Sequence, residues 1–209
     1  NLKLNKIKFK IELKKFSLFL ETQDPKIIYR DLSVPAQNVK VYVDFFSLIE
    51  TEIKIKKISL TLKELNIVQL NKLSVLFKPS NFKSLLNNKI KEGKLVSEID
   101  VFLDDQGKLK NFIARGSVND LKAELIKNVD LTKMNLNFFA DKNDILIKNI
   151  FGNIENIKIV DGDLKLNLEN GVKINSNFNS KIDLNENQIK KFSKILRKSN
   201  LTKNIKDIK

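Results

Sequence analysis

The sequence predicts a mostly β protein, an antiparallel meander curled into an elongated, taco-like groove, with only two short helices. Apolar and polar residues alternate with a period of two through most of the 209 residues, a pattern typical of strands with one apolar face. Short turns join consecutive strands, as in a meander and unlike the crossovers of βαβ units. Two short helices cannot cover so wide a sheet. It must therefore form a sandwich, close as a barrel, or curl into a trough with its apolar side inward.

The N-terminal part of the chain contains the clearest alternation. Lysine doublets at Lys14–Lys15 and Lys56–Lys57 shift its phase, and each doublet predicts a β-bulge that keeps the apolar side facing one way. The apolar positions of these segments are Ile7, Phe9, Ile11, Leu13, Val39, Val41, Val43, Phe45, Ile53, Ile55, Ile58 and Leu60.

Further strands are predicted along the rest of the chain. Asn170–Gly171 lies between two alternating segments, and this dipeptide accepts the positive φ of a type I′ hairpin turn. Asp104–Gly107 and Asp161–Gly162 also predict turns. The predicted strands are 73–77, 95–103, 109–117, 134–139, 145–150, 154–159, 164–169 and 172–178. Their apolar positions include Leu136, Phe138, Ile145, Ile147, Leu164, Leu166 and Leu168.

Two segments have apolar residues at helical spacing. Ser80 is a suitable N-cap for a short helix near 80–92, which Gly93 can end. A basic amphipathic helix is predicted over 186–198, which divides the chain into a sheet domain, 1–185, and a helix with a frayed tail, 186–209. Its apolar stripe either caps the open end of the sheet or lies on an anionic membrane surface. In the second case the contacts would come from Lys190, Lys191, Lys194 and Arg197.

Composition narrows the classes of function. The 39 Lys and Arg against 25 Asp and Glu give a net charge of +14, which favours nucleic acid or anionic lipid as a partner. The phenylalanines occupy apolar phase positions, however, whereas single-strand binders expose them, so no nucleic acid is expected. The chain has no Cys or His, and Glu98, Asp100 and Asp141 occupy solvent-type positions. We therefore expect no catalytic residue, no metal and no cofactor.

The stretch "VYVDFFSLIETEIKIKKISLTL" resembles the AsmA-like and TamB-like proteins of the Gram-negative envelope. In that family an alternating strand leads into a Leu-rich turn, here 46–49, and then into an "I-x-I-x-x-I" strand, matched by Ile53, Ile55 and Ile58. Glu50–Thr51 stands where a glycine is usual. From Gly116 onward the chain resembles the family's repeating strand pattern.

The resemblance implies a fragment of a larger periplasmic protein, anchored to the inner membrane through sequence outside this chain. It also implies a lipid-transfer segment that carries phospholipid between the inner and outer membranes, with no enzymatic activity. In that case the apolar positions given above line a groove that shelters acyl chains. The alternative is a β-sandwich that serves as a structural or interaction module of the cell envelope.

Overall fold

The computed structural model shows one open antiparallel sheet with 13 strands and one short helix, which confirms the predicted fold class. It describes residues 2–3, 6–12, 17–29, 32–44, 47, 53–74, 88–126, 129–169, 173–182, 185, 187 and 190. The strands are β1 (Leu2–Lys3), β2 (Ile7–Glu12), β3 (Ser17–Gln23), β4 (Lys26–Tyr29), β5 (Leu32–Val43), β6 (Ile55–Leu62), β7 (Leu65–Asn66), β8 (Ile90–Leu103), β9 (Leu109–Ile126), β10 (Val129–Asp141), β11 (Asp144–Ile154), β12 (Ile157–Asn167) and β13 (Lys173–Ile182).

Neighbours in sequence are, with few exceptions, neighbours in the sheet. The longest path runs β2-β3-β5-β6-β8-β9-β10-β11-β12-β13, and every pairing along it is antiparallel. The short strands β1, β4 and β7 continue the lines of β2, β3 and β6, because β4 pairs with the same strand as β3 and β7 with the same strand as β6. The alternatives of a sandwich and a closed barrel are therefore not the fold of the described residues.

The helix, α1 (Ile67–Ser74), follows β7 and contacts β5, β7 and β8. Reciprocal bonds cap its start: the Gln69 N–H donates to Asn66 Oδ1 at 3.0 Å, and the Asn66 N–H donates to Gln69 Oε1 at 2.9 Å. This capping box satisfies two amides that the first helical turn leaves unpaired. The strand predicted over 73–77 is therefore wrong at Leu73 and Ser74, which are helical, while 75–77 lie outside the described residues.

Neither predicted helix is supported over its length, although the few described residues of these segments include helical ones: Asn88, Lys89, Asn187 and Lys190. Of the helix near 80–92, only Asn88 and Lys89 are helical, and β8 begins at Ile90 because the β8–β9 pairing extends to that residue. The segment 81–87 lies outside the described residues. The same holds for the C-terminal helix at 186–198, apart from Asn187 and Lys190.

A line of backbone irregularities crosses the strands at one level. Asp120 in β9, Lys133 in β10 and Asn149 in β11 all have positive φ, at 51°, 50° and 53°, and the pairing register shifts beside each of them. Similar shifts occur at this level next to Gly93 in β8 and Val160 in β12. β-Bulges bend a strand and increase its twist. We call this line the crease.

The most deeply buried apolar residues lie along the crease. Met134, Ile150 and Ile159 form a buried cluster. Residues from both sides of the crease pack against it: Leu121, Leu131, Leu136, Ile147, Ile154 and Leu164. Because side chains from both sides meet in one cluster, the sheet bends toward its apolar face. The crease is thus the floor of the trough, and the strand segments on either side are its walls.

Several predicted turns and bulges can be checked directly. The Lys56–Lys57 bulge is confirmed. Consecutive residues of β5 pair with Lys57 and Ile55, so Lys56 is the extra residue in β6. The Asp104–Gly107 turn is also confirmed: the Gly107 N–H donates to the Asp104 carbonyl at 2.9 Å. The antiparallel β12–β13 pairing agrees with the hairpin predicted at Asn170–Gly171, although 170–172 lie outside the described residues.

Two other predictions are wrong. The strand predicted over 154–159 is wrong at Glu155 and Asn156, which form the turn that joins β11 to β12. Asp161–Gly162 is not a turn but part of β12. The ring of Phe178 lies against Gly162, where a Cβ atom would come within 2.3 Å of it. This glycine gives the neighbouring aromatic ring room to lie on the strand.

Substitution Gly152→Ala tests the crease. Gly152 has φ of 150°, and an added Cβ would lie 2.5 Å from Met134 Sδ and 2.7 Å from the Lys133 carbonyl oxygen. We expect a loss of about 2–4 kcal/mol in the free energy of unfolding, measured by urea titration, because backbone strain and overpacking add. Gly107→Ala is the control: its φ is 75° but nothing lies within 4 Å, so only about 1 kcal/mol is expected. Equal losses for the two variants would contradict a closely packed crease.

Candidate functional site

A continuous apolar row crosses the whole width of the sheet on its concave face. The pairing registers place one residue from each of ten strands side by side, and all but Thr22 are apolar. The row, called here the apolar row, consists of Ile7, Thr22, Val39, Leu60, Ile99, Ala114, Ala140, Ile145, Leu166 and Ile174. Paired residues in an antiparallel sheet project to the same side, so this row is one uninterrupted surface.

The apolar row is only partly covered by protein. The members of the row from Val39 to Leu166 are half-buried. Ile7 and Ile174, at its two ends, are exposed. A sandwich core would bury such residues almost completely, because a second sheet packs about 10 Å above the first. The surface is therefore an open apolar wall in the part of the chain that the structure describes.

Most of the predicted lining residues share this face. A second row runs parallel to the first and consists, in order, of Phe9, Leu20, Val41, Ile58 and Val101. Phe9, Val41 and Ile58 are the predicted lining residues in it. The other members on this face are Ile11, Val43, Ile55, Leu136, Phe138, Ile147 and Leu164. Ile53 precedes β6 and Leu168 follows β12, so both are exposed beyond the strand ends. Leu13 and Phe45 lie outside the described residues.

Some residues of the apolar face were not predicted as lining. Ile99, Ala114, Ala140 and Ile174 belong to the apolar row itself. Ala114 and Ala140 face each other and make the wall shallow at β9 and β10. Ile99 and Ile174 alternate in phase with neighbouring apolar residues, so the same pattern could have identified them, whereas small residues such as alanine carry little hydrophobic signal.

The opposite face carries a charged row at the same level. It consists of Lys8, Glu21, Lys40, Ser59 and Asp100 on β2, β3, β5, β6 and β8. Its two carboxylates and its hydroxyl are buried: Glu21 is 5% exposed, Ser59 is 5% exposed and Asp100 is 7% exposed. The prediction that Asp100 occupies a solvent position is therefore wrong, because lysine and arginine side chains from neighbouring strands lie over it.

Ion pairs and hydrogen bonds hold this charged row. The Glu21 carboxylate accepts from Lys10 Nζ and, at 2.8 Å, from Asn38 Nδ2, and Lys40 Nζ lies 3.8 Å away. Asp100 accepts from the hydroxyl of Ser59, with Arg115 Nη2 at 3.7 Å and Lys57 Nζ at 3.9 Å. Buried charges need such partners, since an unpaired one is costly in a low-dielectric environment.

Two aromatic rings strengthen the same face. The ring centroids of Phe19 and Tyr42 are 5.0 Å apart, Lys57 Nζ lies 4.0 Å from the Tyr42 centroid, and Lys40 Nζ lies 5.6 Å from that of Phe19. Cations at such distances are attracted by the ring face, and the lysine stems cover apolar surface while their ammonium groups stay in water. The lysines thus act as the cover of this side of the sheet.

Hydrogen bonds lower the pKa values of two carboxyl groups, those of Glu21 and Asp141. Hydrogen bonds from Lys10 and Asn38 hold the pKa of Glu21 below its ordinary value, against the opposing effect of burial. At the β10–β11 turn, the backbone N–H groups of Asp144 and Asn143 lower the pKa of Asp141 in the same way. Both carboxylates are therefore structural acceptors that fix backbone and strand positions, because stabilising the charged form makes each a weaker proton acceptor.

Within the described ranges, no group of three or more acidic residues is placed to hold a metal ion, and no helix has the length and apolar character needed to cross a bilayer. No protein-family profile, curated protein or solved structure matches the chain. The function must therefore be argued from the sheet itself.

Substitution Glu21→Gln tests the charged network. We expect the free energy of unfolding at pH 7 to fall by about 1–2 kcal/mol, because charge-assisted hydrogen bonds from Lys10 and Asn38 are weakened. A lowered pKa in the folded state stabilises the fold above pH 4.5, the ordinary value for glutamate, and this contribution is lost as the pH falls through the folded-state pKa. The variant should therefore differ from the parent protein at pH 7 and approach it near pH 3.

Glu98→Gln is the matched control for Glu21→Gln. Glu98 pairs with Arg115 on the same face, with Nη2 to Oε2 at 3.0 Å, but this pair is largely exposed to solvent. An exposed ion pair typically contributes about 0.2–1 kcal/mol. Urea titrations at pH 7 and pH 3 compare the two variants, and a loss at Glu21 no larger than that at Glu98 would contradict the buried network.

Proposed function

We propose that this chain is a non-enzymatic lipid-binding segment whose apolar trough shelters the acyl chains of phospholipids. The observation that carries the proposal is the incomplete cover of the apolar row. Apart from Thr22, its members stay half-buried to exposed, although Glu21, Ser59 and Asp100 on the opposite face are buried. An apolar face left open across ten strands is a surface that a hydrocarbon guest would cover.

The energetics suit an acyl chain. Each methylene removed from water contributes about 0.8 kcal/mol, so a chain of about 16 carbons gains on the order of 12 kcal/mol before the costs of binding. The apolar row offers no charged side chain to fix such a guest at one position. A lipid could therefore slide along the row, with its head group in water at the open side of the trough.

The dimensions also support a conduit. Ten strands side by side span nine spacings of about 4.8 Å, or about 43 Å in total. This exceeds the length of one extended acyl chain, so several lipids could lie along the sheet at once. The crease limits the depth, because the buried cluster at Met134, Ile150 and Ile159 already fills the floor.

The cellular role that we propose follows the resemblance to the AsmA-like and TamB-like proteins. In that role the segment belongs to a periplasmic protein, anchored in the inner membrane, that supports phospholipid transport to the outer membrane. The alternative of a β-sandwich interaction module has less support, because no second layer covers the apolar face of the single open sheet among the residues that the structure describes.

Lipid carried by the purified protein tests the proposal directly. We expect mass spectrometry of the gently purified chain to detect phospholipid, and the lipid-stripped protein to extract labelled phospholipid from phosphatidylethanolamine–phosphatidylglycerol vesicles. The measurement is the amount of lipid that remains with the protein after the vesicles are removed by sedimentation. Protein that carries no lipid and extracts none would refute the proposed function.

Substitution Ala140→Phe should block the trough without making it polar. Ala140 lies in the apolar row between Ala114 and Ile145, where a phenyl ring would occupy the space of the guest. We expect lipid binding to weaken at least about tenfold, which corresponds to about 1.4 kcal/mol, in a titration with a fluorescent fatty acid. Asn137→Phe, on the exposed opposite face of the same strand, is the control and should bind as the parent does. Equal affinities of all three proteins would place the binding surface elsewhere.

A further inference from the structure

The two end strands of the sheet each have one edge without a partner in the described part of the chain. β2 pairs only with β3, and β13 pairs only with β12. β13 is ten residues long and every one of them is exposed. A strand edge of this kind presents a row of backbone N–H and C=O groups that another strand can bind.

The directions of these two strands fit each other. Nine antiparallel pairings separate β2 from β13 along the path, so the two strands run in opposite directions. A second copy of the chain, shifted along the sheet without being turned over, would therefore bring its β2 alongside β13 in the antiparallel sense. The hydrogen-bond pattern of the sheet would continue across the junction.

The apolar faces also continue across this junction. β13 contributes Ile174, Phe178 and Ile182 to the concave face, and these are 60%, 43% and 62% exposed. β2 contributes residues of similar exposure to the same face: Ile7 at 54%, Phe9 at 60% and Ile11 at 57%. Both edge strands thus present strongly exposed apolar residues on this face, where pairing with a neighbouring copy would cover them.

The polar faces of the two strands are complementary. Asn175, Asn177 and Asn179 line the outer face of β13, and Lys8 and Lys10 line the outer face of β2. Ammonium groups donate and amide oxygens accept, so the two registers that set Lys8 opposite Asn177 or Asn179 keep the apolar faces together and place both lysines opposite asparagines.

Pairing between two identical edges is less favourable. In a two-fold pairing of β13 with itself centred on Asn177, Lys173 and Lys181 would face each other, and in a β2 pair lysine would face lysine. Like charges directly opposite one another destabilise strand pairing. Like charges therefore disfavour the β2 pair and this register of the β13 pair, whereas head-to-tail pairing with Lys8 opposite Asn177 or Asn179 avoids such opposition.

We propose that copies of this chain associate head to tail, with β13 of one copy pairing with β2 of the next. Such a contact does not close on itself and generates an open-ended assembly. Each copy would extend the sheet by ten strands, or about 48 Å, and the apolar row would run on without interruption. The proposal goes beyond the proposed function and does not rest on it, because it depends on the edges and not on what the trough holds.

Cysteine pairs test the arrangement, since the chain has no native cysteine. Lys8→Cys is combined in turn with Asn175→Cys, Asn177→Cys and Asn179→Cys, because opposed positions in an antiparallel pair bring Cβ atoms close enough for a disulfide. Under mild oxidation we expect at least one combination to give a ladder of covalent dimers, trimers and larger species on non-reducing gels. Lys8→Cys with Asn137→Cys, which places the second thiol on an interior strand, is the control and should give no ladder.

The outcomes separate the possible arrangements. A ladder from a β2–β13 combination, together with monomers from each single-cysteine variant, supports the proposal. Dimers that form from Asn177→Cys alone, or cross-linking that stops at dimers, would show an isologous contact and overturn it. So would a protein that stays monomeric at every concentration in sedimentation velocity and yields no cross-linked species.

A second set of variants blocks the junction without altering the core. Combined substitution of Asn175, Asn177 and Asn179 by lysine places cations opposite Lys8 and Lys10 of the next copy. We expect concentration-dependent association in sedimentation velocity to be lost, while circular dichroism shows an unchanged β-sheet spectrum. Association that persists in this folded variant would contradict pairing through β13. Lipid extraction by the same variant should remain, so failure of the assembly and failure of the proposed function are distinguishable.

Discussion

The backbone bulges that form the crease are the constraint on which the rest of the structure depends. Asp120, Lys133 and Asn149 have positive φ on three consecutive strands, and each shifts the register of its neighbours. A single bulge bends one strand, but bulges at the same level in adjacent strands bend the whole sheet. The bend brings Leu131 and Leu136 against one buried cluster. One sheet can therefore enclose a trough without a second layer.

The two faces of the sheet depart in part from the usual arrangement, because the apolar row is partly open and part of the charged face is covered. In most antiparallel sheets with one wet face, the apolar face is sealed and the polar face is open. Here lysine side chains lie over Phe19 and Tyr42, and Glu21 and Asp100 are buried in ion pairs. Part of the basic composition thus serves as a cover for one face. The need for a nucleic-acid partner to explain the charge is correspondingly reduced.

The sequence predicted the sheet and its apolar positions well, but not the places where strands bend. Alternation identifies a strand only while its phase is constant. The predicted strands 109–117 and 134–139 therefore stop beside the bulges at Asp120 and Lys133, whereas β9 and β10 continue through them. The Lys56–Lys57 bulge was predictable because two adjacent polar residues mark the phase shift. Burial of Asp100 was not, because it depends on side chains from strands that are distant in sequence.

The succession of hairpins has a consequence for how such a sheet can change in evolution. Each of the strands β9 to β12 pairs with the one before and the one after it in sequence, so contacts are local and none of these strands must find a distant partner. In repetitive architectures of this kind, stability is approximately a sum over neighbouring units. Duplication or loss of one hairpin between β8 and β13 would preserve strand direction and the alternation of faces, and would change the span by about 10 Å. The reach of the protein is thus adjustable in steps of two strands.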